Sequence, residues 1–129
     1  MKHIKLIVAT ALVLAATPAF ATNWVYVTAS RDFAFYYYDS DTIQRSGNQV
    51  TAWEKTDHSR DKTVKEREKM TRYRYDCAER TRMFLSSTVY YPDGTNESFT
   101  WKYEQNFRPM VPNTIGEAML EAVCAATAP

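Results

Sequence analysis

The side chains able to do chemistry are few and scattered. Beyond residue 21 the chain holds one histidine, His58, and two cysteines, Cys77 and Cys124. His58 sits among Lys55, Asp57, Arg60 and Asp61, with nothing apolar beside it to perturb its pKa, so a solvated imidazole is expected. A nucleophilic triad or a His-based zinc site needs partners that this pattern does not supply. Asp39, Asp41 and Asp93 fall in turn-forming stretches. Asp39-Ser40-Asp41 lacks the later glycine and terminal glutamate of a calcium loop. The three glycines, Gly47, Gly94 and Gly116, are too few and too far apart for a dinucleotide fingerprint or a P-loop. The expectation is no catalytic residue, no metal site and no cofactor.

The cysteines point elsewhere, to structure and compartment. Met1 to Lys5 is short and positive, Leu6 to Ala16 is an uncharged apolar run, and Ala19-Phe20-Ala21 is a small-x-small cleavage site. That is the pattern of a secretory signal peptide, and the run is shorter than the ~20 residues a membrane span needs. Cleavage is expected after Ala21, with one domain over residues 22–129 and no membrane span. No cysteine follows the apolar run, so export to the periplasm or medium without a lipid anchor is expected. Removing 21 of the 129 residues leaves 108, room for one modest core. In an oxidising compartment an even pair of cysteines reads as one disulfide, and residues 77 and 124 are not spaced like zinc ligands. A loop of that length closed by a bond contributes ~4 kcal/mol on the chain-entropy model.

The chain has 16 basic and 15 acidic side chains. Losing Lys2 and Lys5 with the leader turns a formal +1 into −1, which argues against a nucleic-acid partner. One stretch is locally basic, from Arg60 to Arg74, with Tyr73 and Tyr75 interleaved. Either it is a solvated strand face, or it docks an anionic protein or glycan. Aromatic residues are abundant, 14% of the chain. Most are expected in a core, with Tyr36, Tyr38 or Tyr90 left on an open sheet face.

The elements that must position these residues are mostly strands. Residues 23–28, 33–38 and 49–56 are rich in β-branched and aromatic types. A charged stretch over 54–70 lacks a helical apolar period and reads as the exposed tip of a long hairpin. In the strand ending at Cys77, Thr71, Tyr73, Tyr75 and Cys77 share one face and Met70, Arg72, Arg74 and Asp76 the other. Residues 81–91 and 97–103 flank a Pro92-Asp93-Gly94 turn and form a hairpin. A linker over 106–112 leads to Thr114-Ile115-Gly116-Glu117, a capping box. Ile115, Met119, Leu120, Val123 and Cys124 then form one helical stripe. The fold class is α+β: a single antiparallel β-sheet of about six strands with a C-terminal α-helix on one face, tied by Cys77–Cys124.

Trp24, Tyr37-Tyr38-Asp39, Ile43, Val50-Thr51-Ala52-Trp53, Tyr75-Asp76-Cys77, Tyr90-Tyr91-Pro92-Asp93-Gly94 and Val123-Cys124 together resemble the surface-adhesin protein E family of Gram-negative bacteria. The resemblance covers essentially the whole exported chain. It implies a single antiparallel sheet, a disulfide-tethered C-terminal helix, often a homodimer, and adhesion to host matrix or plasma proteins. The expected function is therefore that of an exported, non-enzymatic binding protein with a protein partner. A periplasmic accessory, inhibitor or envelope-stress protein with a bacterial partner is the alternative, and localisation separates the two. The residues expected to touch a partner are Arg67, Arg72, Arg74 and Tyr36.

Overall fold

The computed structural model describes residues 22–100 and 106–128. Trp24–Ala29 (β1) and Phe35–Asp39 (β2) pair antiparallel, both built from the β-branched and aromatic types that suit a pleated surface. Val27 is an extra residue in β1, where the register slips between Tyr26 and Thr28. The preceding expectation started the second strand at Phe33. Instead Phe33 takes a left-handed φ of 65° and donates its N–H to Ser30 O at 3.2 Å, so it belongs to the turn and is 62% exposed.

Gln44–Ser46 (β3) and Gln49–Asp57 (β4) form a tight hairpin around Gly47, whose φ of 59° suits a residue without Cβ. Before it, the Asp39 carboxylate accepts from Asn23 N–H, Asp41 N–H and the Thr42 hydroxyl, at 3.0, 3.1 and 2.6 Å. Asp39 is thus turn chemistry, and so is Asp93, which accepts from Thr95.

Glu68–Asp76 (β5) and Thr81–Tyr90 (β6) continue the sheet, and Asn96–Thr100 (β7) returns along β6 after the Gly94 turn. Of the expected last strand, Trp101 and Tyr103 lie outside the described residues. The linker over 106–112 contains a short strand, Arg108–Pro109 (β8), beside Thr81 and Arg82 at the end of β6 that β7 does not reach. The order is β1-β2-β4-β5-β6-β7, all antiparallel, with β3 also beside β4 and β8 beside β6.

Ile115–Ala126 (α1) begins as the capping box predicts. Glu117 N–H donates to the Thr114 hydroxyl at 3.3 Å, and the Glu117 carboxylate reaches back to Asn113 N–H at 3.2 Å. Met119, Leu120 and Val123 pack on Val50, Ala52 and Tyr75, flanked by Val27, Tyr36, Tyr38 and Ile43. The helix therefore covers the β1, β2 and β4 part of one sheet face. The Cys77–Cys124 disulfide joins the end of β5 to the last turn of α1, with Cα atoms 5.9 Å apart. Arg45 donates to Cys124 O and the Thr127 hydroxyl, placing a cation at the helix C-terminus where the macrodipole favours it.

Candidate interaction surface

Strand alternation gives the sheet two unlike faces. In β4, Val50, Ala52, Glu54, Thr56 and the following His58 are buried on the helix side, while Thr51, Trp53, Lys55 and Asp57 alternate with them on the other. Cross-strand pairing carries the split through the sheet. Lys55 pairs with Tyr37 and Met70, Trp53 with Arg72, Thr51 with Arg74, and Arg74 with Met83.

The helix side holds the groups closest to acid–base chemistry. Glu54 is 5% exposed, and the Tyr75 hydroxyl donates to its Oε1 at 2.7 Å. Burial pushes the Glu54 carboxyl up to about 7, against the opposing pull of the Tyr75 hydrogen bond, Arg82 and Lys69. Burial likewise raises Tyr75 well above 10, with Glu54 adding to the rise. Arg82 stacks over Tyr73 at 4.1 Å. Beside this cluster Tyr73, Arg82, Phe84, Met110, Val111 and Ile115 frame a hollow of about 650 Å³. Its rim at Asn106 adjoins residues outside the description.

His58 departs from expectation. It is 8% exposed, and its Nδ1 lies 3.1 Å from Asp61 Oδ2. The charged sequence around it misled, because a turn closed by Asp61 N–H donating to His58 O folds Asp61 over the ring. Bonds from the Thr63 hydroxyl and backbone, and then from His58, hold Asp61 below the usual carboxylate range. Among the described residues no group of three or more His, Cys, Asp or Glu could hold a metal ion.

The open face is aromatic and cationic. Lys55 Nζ lies over the Trp24 and Tyr37 rings at 5.0 and 4.7 Å, and Arg60 over Phe35 at 5.7 Å. Tyr26 packs edge-on to Tyr37 at 5.7 Å and stays 54% exposed. Arg72 and Arg74 stand in the middle of this face, half-buried, and Arg74 Nε reaches the Thr51 hydroxyl at 3.5 Å. The ion pairs among the described residues lie elsewhere, at His58–Asp61 and at Arg80 with Glu117 and Glu121. The acids at the strand ends are held by turns: Asp57 accepts from Ser59 N–H, and Asp76 from Ala78 and Glu79 N–H. Among the described residues Arg72 and Arg74 therefore stand together without an ion pair. Against the cost of burial, the bonds from Ser59, and after them the nearby Lys55 and Arg60, lower the pKa of Asp57.

The residues expected to meet a partner divide. Arg72 and Arg74 come together. Arg67 stands apart from them: it is exposed just ahead of β5, its N–H donating to Tyr90 O and its carbonyl accepting from His58 N–H, and opposite His58 it falls by alternation on the helix side. Tyr36 does not join them: it packs against the helix-side core, and burial followed by Asp61 raises its pKa. Tyr38 packs there too, whereas Tyr90, paired with Glu68 in line with Asp57, falls on the open side; the other open-face aromatics are Trp24, Tyr26, Phe35 and Tyr37. Sequence reasoning missed these and Trp53 and Lys55. The alternation of β4 held the signal for the last two.

The family sequence model described as Surface-adhesin protein E matches residues 24–125. The chain belongs to the surface-adhesin protein E family. Among solved structures, crystal form II of Haemophilus influenzae protein E is similar with TM-score 0.57 and 17% identity, over 78% of this chain and 87% of that one. The selenomethionine form of the same protein gives 0.56 and 16%, over 78% and 85%. A further protein E structure gives 0.55 and 15%, over 79% and 83%. At such identities the likeness shows a shared fold. No curated protein sequence matches.

Proposed function

We propose that this family member is exported by a leader over residues 1–21, works as a domain over 22–129, and acts by binding a protein through the open face of its sheet. Catalysis fits poorly, because the groups with the most perturbed acidity, Glu54 and Tyr75, are sealed under the helix side. Both cysteines are consumed in the disulfide. The observation that carries the reading is the open face itself, where aromatic rings stand beside Lys55, Arg72 and Arg74, and the two arginines have no ion pair among the described residues. Aromatic and Arg anchors of this kind dominate affinity at protein interfaces. Family membership supports a host-facing partner, a matrix or plasma protein. No described helix is long and apolar enough to cross a membrane.

The test is capture of purified matrix and plasma proteins by the wild type and by the triple variant Arg67→Ala, Arg72→Ala, Arg74→Ala. Loss of capture in the variant supports the open face. Equal capture rejects it.

A further inference from the structure

One place on the open face is shaped for a single group. β4 changes neighbours along one edge: β2 pairs with it at Glu54–Asp57 and β3 at Gln49–Thr51. Between those stretches Ala52 and Trp53 have no register partner on that side. The loop that links β2 to β3 swings away there and leaves a notch of about 200 Å³, lined by Thr42, Gln44, Thr51, Ala52, Trp53 and Arg72.

The lining favours an anion. It contains a guanidinium, a carboxamide, an indole and two hydroxyls, and no carboxylate. Thr42 donates to Asp39, which fixes the wall, and the loop's other acid, Asp41, is exposed and outside the lining. Thr51 is placed to accept from Arg74, which leaves its own proton free to point into the notch. Arg72 arrives from β5 directly opposite Trp53, without an ion pair or side-chain hydrogen bond among the described residues, and Arg74 and Lys55 stand beside it. An unneutralised, half-buried guanidinium gains most from a carboxylate, which it can hold by two parallel hydrogen bonds.

We infer that this notch receives a carboxylate side chain of the partner, and that the partner presents it in an acidic segment flanked by apolar residues. The inference rests on the binding function proposed above and names the chemistry of its ligand. A peptide fits better than a sulfated or uronic polysaccharide. A polyanion needs a continuous run of cations, whereas here Lys55, Arg60, Arg72 and Arg74 are interspersed with Trp24, Tyr26, Phe35 and Tyr37 on one side and Met70 and Met83 on the other. Apolar side chains next to an acid would cover those surfaces.

The experiment is fluorescence anisotropy with the full exported domain and two labelled peptides. In one, glutamates alternate with valine and phenylalanine; in the other, glutamines replace the glutamates. The glutamate peptide should bind at least ~tenfold more tightly, and Arg72→Gln should remove that preference, as expected when a buried charge pair loses one member. Gln44→Ala should weaken it less. Raising salt from about 50 to 300 mM should weaken binding by screening the pair. Equal binding of both peptides, or an Arg72→Gln variant that keeps the preference, overturns the inference. A heparin fragment that displaces the peptide and binds more tightly overturns it in favour of a glycan. Self-association that buries Trp53 and excludes both peptides overturns it in favour of a second copy. If Arg72→Gln still captures the matrix protein that the triple variant loses, the open-face function stands and the notch alone fails.

Discussion

On one side of β4, Val50, Ala52, Glu54 and Thr56 vanish beneath a helix. On the other side of the same nine residues, Thr51, Trp53, Lys55 and Asp57 stay half open. Both faces carry large rings and charges. The helix side sets several of its charges against partners: Tyr75 bonds Glu54 Oε1, Arg82 lies over Tyr73, and Asp61 bonds His58 Nδ1, while Glu54 Oε2 and His58 Nε2 find no hydrogen bond among the described residues. On the open side Arg72 faces Trp53 with no ion pair among the described residues. A fold that must only be stable gains little from gathering cations where no acid meets them. On the proposed binding function, the first face serves stability and the second meets a partner.

The sharpest way to break this comparison is to disturb the covered face. Met119 is 1% exposed, between the sheet and the rest of the helix stripe. Met119→Asp places an unpaired carboxylate there and should destabilise by ~4 kcal/mol or more, read from the urea midpoint. An unchanged midpoint would mean that α1 does not rest on the sheet. Cys124→Ser removes the tether of the same helix and should lower stability by ~2–5 kcal/mol, with hydrogen exchange rising first in α1. Uniform exchange across the domain would show that the helix is held without it.

Glu54 sharpens the comparison further, because its cost depends on pH. Its carboxyl titrates near 7 in the fold and at the ordinary 4.5 in the open chain. Between those values the folded chain keeps a proton that the unfolded chain has lost, so stability falls as pH rises through this window. At ~1.4 kcal/mol per tenfold, the penalty reaches about 3 kcal/mol above pH 7. Glu54→Gln keeps an acceptor for Tyr75 and removes the ionisation. The variant should match the wild type at pH 5 and melt higher at pH 8. Parallel melting curves at both values would place the carboxylate in water.

How far the sequence revealed these faces depended on contrast within each strand. β5 alternates Thr, Tyr, Tyr with Met, Arg, Arg, and its inward and outward sets were legible. β2 reads Phe-Tyr-Tyr-Tyr, where every residue could face either way, so the direction of Tyr36 was not. A one-residue slip inverts a strand's faces, and the left-handed Phe33 and the extra Val27 sit on either side of that ambiguity. The helix was legible from Thr114 and Glu117 because capping is local chemistry. The burial of His58 was not, since Asp61 meets it only after the chain turns. β8 escaped notice because two residues carry no period at all. The notch was invisible for a related reason: it arises where β4 changes partners, which is a property of pairing.

The smallest effects on stability separate the open-face cations from one another. Lys55 lies over two rings, so Lys55→Ala should cost up to ~1 kcal/mol through lost cation–π contact. Among the described residues Arg72 has neither a cation–π contact nor an ion pair. Its removal leaves no buried group unpaired and no cavity in the helix-side core, the two routes by which substitutions become severe. Arg72→Ala should therefore stay within ~0.5 kcal/mol of the wild type in urea unfolding at low salt. It should even gain slightly there, because Arg74 and Lys55 lose a like-charged neighbour whose repulsion salt would otherwise screen. A loss above ~1 kcal/mol would mean that Arg72 has a structural task, and the face would then need no partner to explain its charge.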